Sequence, residues 1–322
     1  MKKLPRLVCC SVLVSLFAAL GPAAAEETEF TIGPDYADAQ ETKEQPGVPQ
    51  GKVVEFTMDS KDSKIYPGIA KNQPGTVPYQ RKVAVYVPAQ YQPGTEAPFI
   101  VAQDGLGYRG VLPTVLDHMI HQKRLPVMIA IMINSGGGDS LGSQRGLEYD
   151  TVSDTYTKFI EQEVLPKIRK DYQITFTKNP EGRAAMGGSS GGAAAFTMAW
   201  FSPDLYRRVL TYSGTYVDQQ FPENPETPHG AWEYHENLIK RGARKPIRVW
   251  LEVSENDNGS KRDEASLHNW VLANQRMAAE LKAKDYAYRY VFAKAAGHTD
   301  GRVTRQTLPA ALEWLWQGYP AK

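Results

Sequence analysis

Cysteine is nearly absent from this 322-residue sequence. The two that occur, Cys9 and Cys10, lie side by side in an apolar stretch close to the N-terminus. If that stretch is removed during export, the mature chain has no cysteine, which excludes disulfides, cysteine nucleophiles and cysteine metal sites together. A chain of this length can bury a hydrophobic core without cross-links, so its chemistry must depend on other side chains.

The sequence also has little net charge. It contains 37 Lys and Arg against 36 Asp and Glu, a formal net charge of +1. Such a balance offers no basic face to phosphates, so we expect no nucleic acid as partner. Residues 7–20 form an apolar run of about 14 residues, short of the roughly 20 that a membrane-spanning helix needs.

The first 25 residues have the layout of a secretory signal peptide. Lys2, Lys3 and Arg6 precede the apolar run, and an A-x-A-like site ends at Ala25. We predict a signal peptide at residues 1–25, a periplasmic or secreted product, and no stable membrane insertion after cleavage. An uncleaved membrane anchor is the alternative. Cleavage would remove three basic residues and leave 34 basic and 36 acidic ones.

The distribution of apolar residues predicts one α/β domain. Residues 26–50 are polar and are interpreted as a loose leader, and the domain is placed at residues 51–322. Early strands followed by alternating helices and strands imply a mostly parallel central sheet with helices on both faces. The predicted strands are residues 53–57, 82–87, 98–102, 127–133, 183–186, 209–212, 247–253 and 288–292, and the predicted helices are residues 154–171, 193–200, 266–284 and 308–317.

A glycine-rich turn lies between the predicted strand 183–186 and the predicted helix 193–200. Its sequence is GGSSGG, residues 187–192. A G-x-S-x-G between a strand and a helix is typical of the nucleophile elbow of α/β-hydrolases, which presents a serine hydroxyl on a sharp turn. Two registers fit the motif, and the early end of the strand favours Ser189 over Ser190 as nucleophile. A plain Gly/Ser turn is the alternative interpretation.

A serine nucleophile needs a base and an acid that orients the base. In this fold they follow the serine in the order acid, then histidine. His298 comes after the strand 288–292, where the base is expected, and Asp257 follows the strand 247–253. Glu255, two residues earlier, is the second candidate for the acid. As an alternative, either carboxylate could cap the helix that follows. Three other histidines follow the serine: His268, interpreted as a helical packing or surface residue, and His229 and His235, which belong to a long loop.

Two backbone N–H groups are candidates for an oxyanion hole. One is that of Ser190, at the start of the helix, and the other is that of Leu106, in the loop after the strand 98–102. A simple turn would equally explain the glycines around Leu106.

At these residues the chain resembles the esterase family that contains enterochelin esterases, esterase D, feruloyl esterases and mycolyltransferases, within the α/β-hydrolase superfamily. The resemblance runs from about residue 51 to residue 319. Its motifs are Asp-Gly-Leu at 104–106, GGSSGG at 187–192, Glu-Asn-Asp at 255–257 and Gly-His at 297–298, with RGLEYD at 145–150 and EVLP at 163–166.

The resemblance implies the triad Ser189, Asp257 and His298 and an acyl-enzyme mechanism that needs no metal and no organic cofactor. The expected partner is a small-molecule or carbohydrate ester: a siderophore, a sugar ester or a lactone. Trp232 is a candidate for lining a substrate pocket together with Tyr216, Phe221 and Tyr234, although packing would explain these aromatic residues equally well. Arg145 is a candidate for binding an acidic substrate, with a structural ion pair to Glu148 or Asp150 as the alternative.

Two other functions stay open at this stage. An acyltransferase of the mycolyltransferase kind would give a different product when a sugar acceptor is present. A catalytically silent carbohydrate-binding protein on the same fold would not react with a fluorophosphonate.

Overall fold

A nine-stranded sheet forms the centre of the structure, a computed structural model that describes residues 27–70, 75–138 and 142–321. The strand order across the sheet is β1-β11-β10-β9-β8-β5-β6-β3-β2, and a separate parallel pair joins β4 to β7. The strands are β1 Glu29–Ile32, β2 Lys52–Asp59, β3 Gln80–Val87, β4 Glu96–Ala97, β5 Phe99–Gln103, β6 Ile129–Ile133, β7 Thr175–Phe176, β8 Arg183–Gly188, β9 Arg208–Tyr212, β10 Arg248–Asn256 and β11 Ala287–Gly297.

The helices of the described residues flank this sheet. A π-helical turn, Ile160–Val164, joins α3 to α4. The α-helices are α1 Leu112–His121, α2 Gln144–Tyr149, α3 Thr155–Phe159, α4 Leu165–Tyr172, α5 Ser190–Phe201, α6 Ile239–Arg241, α7 Trp270–Ala283 and α8 Gly301–Leu315. In the part of the chain that the structure describes, no helix has the length and apolar character needed to cross a membrane.

Most strand pairs in the sheet are parallel; only β2 with β3 and β3 with β6 run antiparallel. Central parallel strands are covered on both faces, which is why β5, β6, β8 and β9 are buried along their whole length. The α/β prediction, with a mostly parallel sheet and helices on both faces, is confirmed.

Alternating side chains of each strand separate the core into two layers. On β3, Val83 and Val85 face the layer that contains α3, α4, α5 and α7, while Ala84 and Tyr86 face the layer that contains α1 and α8. This follows from the two-residue period of a strand, which sends successive side chains to opposite faces.

Three predictions about the elements need correction. Within the segment interpreted as a loose leader, Glu29–Ile32 is instead an edge strand paired with β11. Helix α7 begins at Trp270, capped by Asn269, so His268 lies before the helix and not in it. Helix α8 begins at Gly301, seven residues before the predicted start at 308. The predicted signal peptide at residues 1–25 lies outside the described residues.

Candidate active site

Ser189 lies at the sharp turn between β8 and α5. Its backbone has φ 55° and ψ −131°, a conformation that residues other than glycine rarely adopt. The Ser189 N–H donates to the carbonyl of Tyr212 on the neighbouring strand, at 2.9 Å, and so holds the turn against the sheet. This is the strand–turn–helix geometry that the GGSSGG motif predicts.

The glycines of the motif permit this turn because backbone segments meet there. A Cβ at Gly187 would lie 2.4 Å from the carbonyl carbon of Gly191, much closer than any real contact. At Gly188 a Cβ would lie 3.0 Å from Thr299 and 3.1 Å from the hydroxyl of Tyr108. Larger residues would push the turn away from the two loops that surround Ser189.

Three side chains form a continuous line of hydrogen bonds at this edge of the sheet. The distance from Ser189 Oγ to His298 Nε2 is 2.9 Å, and that from His298 Nδ1 to Asp257 Oδ1 is 2.5 Å. Asp257 directly follows β10 and His298 directly follows β11, so both stand at carboxyl ends of strands, as Ser189 does. The parallel sheet therefore brings together residues that are 109 and 41 positions apart.

Burial and backbone contacts distinguish the two acid candidates. The Asp257 side chain is fully buried and accepts hydrogen bonds from the N–H of Asn258, at 2.7 Å, and of Ser254, at 3.4 Å. Glu255 is exposed and accepts the N–H of Ala295, at 2.8 Å. The structure thus brings Asp257 to the histidine and directs Glu255 to the end of β11.

The two serines of the motif point in different directions. The Ser190 side chain is fully buried, and its hydroxyl lies 3.4 Å from the amide nitrogen of Gln219. The Ser189 hydroxyl faces His298 and is also 3.3 Å from the hydroxyl of Thr215. Of the two registers, the one with Ser189 has the geometry of a nucleophile beside a base.

The two predicted oxyanion donors occupy different environments. Ser190 is the first residue of α5, and the first N–H groups of a helix have no acceptor within the helix. Leu106 lies in the 3-10 turn Gly105–Tyr108, and its N–H donates to the side-chain oxygen of Asn134 at 3.2 Å. The Leu106 N–H therefore already has an acceptor. It could donate to a substrate oxygen only if its hydrogen bond to Asn134 were broken.

A cavity of about 480 Å³ opens beside Ser189. Arg145 is one of its lining residues and makes an ion pair with Asp104 through Nη2 and Nε, at 2.7 and 2.9 Å, while Glu148 binds Arg81. The lining residues are Asp104, Gly107, Tyr108, Gly110, Val111, Arg145, Gly188, Ser189, Thr299, Gly301, Thr304 and Arg305.

Trp232, the candidate for lining a substrate pocket, is placed in the core, as the alternative of packing describes. Trp232 is 3% exposed, belongs to the hydrophobic core and packs edge-on against His235, with ring centroids 4.5 Å apart. Tyr216 and Tyr234 are also fully buried. Tyr216 and Tyr234 pack their loop onto Phe196 of α5, where each ring buries a large apolar area.

The two histidines of the long loop, His229 and His235, each have a hydrogen-bond partner within the protein. His235 is buried, and its Nε2 lies 3.0 Å from the carbonyl of Tyr216. Burial lowers the pKa of His235 to about 3, so the ring is neutral at physiological pH. His229 is exposed and lies 3.1 Å from Asp218.

Glu252, which the sequence analysis did not single out, is a fully buried carboxyl close to the line of hydrogen bonds. The hydroxyl of Ser254 donates to its Oε1 at 3.0 Å, and its Oε2 has no hydrogen-bond partner among the described residues. Desolvation, reinforced by the charge of Asp257, raises the pKa of Glu252 to about 8. Charged residues inside a strand are the sequence signal for such a group, since an acid in an apolar run is unusual.

The strand order and the turn at Ser189 define an α/β-hydrolase fold. The model of the family described as "Putative esterase" matches residues 75–315. The chain therefore belongs to that esterase family. Comparison with curated proteins gives no match.

Several solved esterases have a similar fold. The enterobactin esterase of Shigella flexneri is 22% identical, with a TM-score of 0.58, over 85% of this chain and 63% of that one. The ferric enterobactin esterase of Salmonella typhimurium is 21% identical, with a TM-score of 0.60, over 86% and 60%. The chain thus covers less than two thirds of these two proteins. A ferulic acid esterase of Anaeromyces mucronatus is 14% identical, with a TM-score of 0.61, over 88% and 96%.

Proposed function

We propose that this protein is a serine esterase in which Ser189 is the nucleophile, His298 the general base and Asp257 the acid that orients the base. The observation that carries the proposal is the unbroken line of hydrogen bonds from Ser189 Oγ through His298 to Asp257. A buried carboxylate on Nδ1 fixes the tautomer in which Nε2 accepts the serine proton.

The first half of the reaction forms an acyl-enzyme. Ser189 Oγ attacks the ester carbonyl carbon while its proton moves to His298 Nε2, and Asp257 stabilises the resulting imidazolium. The negative charge on the carbonyl oxygen is held by the Ser190 N–H at the start of α5, where the helix dipole also favours an anion. The Leu106 N–H is the second donor once Asn134 releases it. As the carbonyl re-forms, the bond between the acyl carbon and the alcohol oxygen breaks, and His298 gives its proton to that oxygen.

The second half hydrolyses the acyl-enzyme and regenerates the free enzyme. His298 removes a proton from water, the hydroxide oxygen attacks the acyl carbon, and the Ser189–acyl bond breaks as His298 returns the proton to Ser189 Oγ. Each step balances without a metal or an organic cofactor, so we expect none to be required.

We propose a small-molecule or carbohydrate ester as substrate, bound in the cavity beside Ser189. Arg145 lines that cavity and is our candidate for contact with an acidic group, in exchange for its ion pair with Asp104. The solved neighbours named above make enterobactin and feruloyl esters the first substrates to test. The A-x-A-like site that ends at Ala25, after the apolar N-terminal run, supports the proposal that the protein is exported, with a mature N-terminus at or near Glu26.

The test measures hydrolysis of p-nitrophenyl esters of graded acyl length beside enterobactin and feruloyl and acetyl sugar esters. Wild type should release alcohol and acid, and Ser189→Ala should lower kcat by several orders of magnitude. Equal rates for wild type and Ser189→Ala would contradict the proposal. Product analysis with a sugar acceptor separates hydrolysis from acyl transfer, since a transferase would form a new ester.

A further inference from the structure

The hydroxyl of Thr215 lies between the Ser189 hydroxyl and the indole of Trp270. Thr215 Oγ1 is 3.3 Å from Ser189 Oγ, and Trp270 Nε1 donates to the same Thr215 oxygen at 3.2 Å. Thr215 is 1% exposed and Trp270 is 7% exposed, so water has little access to these bonds. The Thr215 N–H also donates to the Ser189 carbonyl at 3.1 Å, which ties the two residues together.

Helix α7 holds this arrangement in place. Asn269 caps the helix, and Trp270 is its first residue. One turn later, the Asn274 amide donates to the carbonyls of Gly214 and of Trp270, each at 2.9 Å. The start of α7 and the loop that carries Thr215 are therefore fixed to one another. The Trp270 ring also packs edge-on against His298, with centroids 6.1 Å apart.

The indole N–H determines the direction of these hydrogen bonds, because it can only donate. Among the described residues, Thr215 Oγ1 has two partners, Trp270 and Ser189. If Ser189 donated to Thr215, the buried Thr215 proton would have no acceptor, which is unfavourable. With the opposite direction every donor has an acceptor: Trp270 donates to Thr215, Thr215 to Ser189, and Ser189 to His298.

We propose that Thr215 donates a hydrogen bond to the nucleophilic oxygen of Ser189 and that Trp270 positions Thr215 to do so. The inference rests on the proposed role of Ser189. The bond strengthens as the Ser189 proton moves to His298 and negative charge grows on Oγ, since hydrogen bonds to charged groups are the stronger ones. It therefore stabilises the transition state for attack more than it stabilises bound substrate, and it should affect kcat and not KM.

The experiment measures kcat and KM on a p-nitrophenyl ester, and the rate constant for inactivation by a fluorophosphonate. Thr215→Val keeps the shape and removes the hydroxyl; it should lower kcat and the inactivation rate by roughly tenfold with KM nearly unchanged. Thr215→Ser should recover most of the loss. Trp270→Phe should lower kcat by roughly threefold in wild type, and should add little in the Thr215→Val background, because the two residues act through one bond.

Two variants are matched controls. Thr307→Val removes a buried hydroxyl on α8 that bonds to Tyr212 on β9, and Trp316→Phe removes an indole N–H that has no partner among the described residues. Both should keep wild-type kcat. Circular dichroism checks folding. If Thr215→Val does not fold, Trp270→Phe takes its place, and a wild-type kcat and inactivation rate in Trp270→Phe would then overturn the inference.

Two outcomes overturn the inference. One is a wild-type inactivation rate in Thr215→Val, and the other is a Thr215→Ser variant as slow as Thr215→Val, since the hydroxyl would then have no part in the reaction. A wild-type protein that takes no fluorophosphonate on Ser189 would contradict the proposed function itself, and this inference with it.

Discussion

Replacing Glu252 by glutamine should change how the stability of the protein depends on pH. Glu252 is fully buried, and desolvation raises its pKa from 4.5 to about 8. The charges of Asp257 and Asp300 contribute to this rise, and the carboxyl also lies within electrostatic range of the phenols of Tyr36, Tyr108, Tyr212 and Tyr290. Glutamine has nearly the same shape as the neutral acid and cannot ionise.

The sign follows from proton binding. Between pH 4.5 and about 8 the folded protein holds a proton on Glu252 that the unfolded chain has lost. The wild type therefore loses about 1.4 kcal/mol of unfolding free energy per pH unit through this group, and the loss ends as pH passes the folded pKa. From pH 5 to pH 8 the total is roughly 3 to 4 kcal/mol, a large part of the 5 to 15 kcal/mol that is typical of a domain.

Urea denaturation followed by tryptophan fluorescence at pH 5, 6, 7 and 8 measures this effect. The unfolding free energy of Glu252→Gln minus that of wild type should rise with pH and level off above about pH 8. Any constant effect of the substitution cancels in the comparison between pH values. Glu255→Gln, at the exposed end of the same strand, is the matched control and should show no such rise. Parallel curves for wild type and Glu252→Gln would refute the reasoning.

Three further predictions concern the site and its support. Asp257→Asn should lower kcat by up to about 10⁴-fold with little change in KM, while Glu255→Gln should keep most of the activity. Steady-state kinetics on one ester measures both variants. The reverse result would make Glu255 the acid. Ser190→Ala keeps its backbone N–H and should cost tenfold in kcat or less, by the same assay; a loss as large as that of Ser189→Ala would contradict its assignment. Glu148→Ala leaves Arg81, which is 2% exposed, without its partner and should lower the unfolding free energy by roughly 3 to 5 kcal/mol in urea; a change below about 1 kcal/mol would show that Arg81 finds another partner.

The central strands could be predicted from the sequence because they are buried on both faces and read as continuous apolar runs. Edge strand β1 could not, since EFTI is only four residues long and lies in a polar segment, and its pairing with β11 is a contact between residues about 260 positions apart. The first turns of α8 were missed for a related reason, because residues 301–307 are mostly polar.

The site residues that follow strand ends were accessible to the same reasoning. Ser189, Asp257 and His298 each stand where a strand of a parallel sheet ends, so their order and spacing carry the information. Thr215 and Trp270 have no such signal, because their contact depends on how α7 packs against a loop. The sequence left two interpretations open for Trp232, because composition does not tell whether a loop aromatic points to solvent or to the core; the structure places it in the core.

The most direct test of the central claim is to locate the adduct that a fluorophosphonate leaves on the protein. After labelling and digestion, mass spectrometry of the peptide that contains residues 187–192 should place the adduct on Ser189, next to the His298 ring at 2.9 Å. Ser189→Ala should take no label, and Ser190→Ala should take it at nearly the wild-type rate. An adduct on Ser190, with Ser189→Ala still active, would contradict the account and move the nucleophile by one residue.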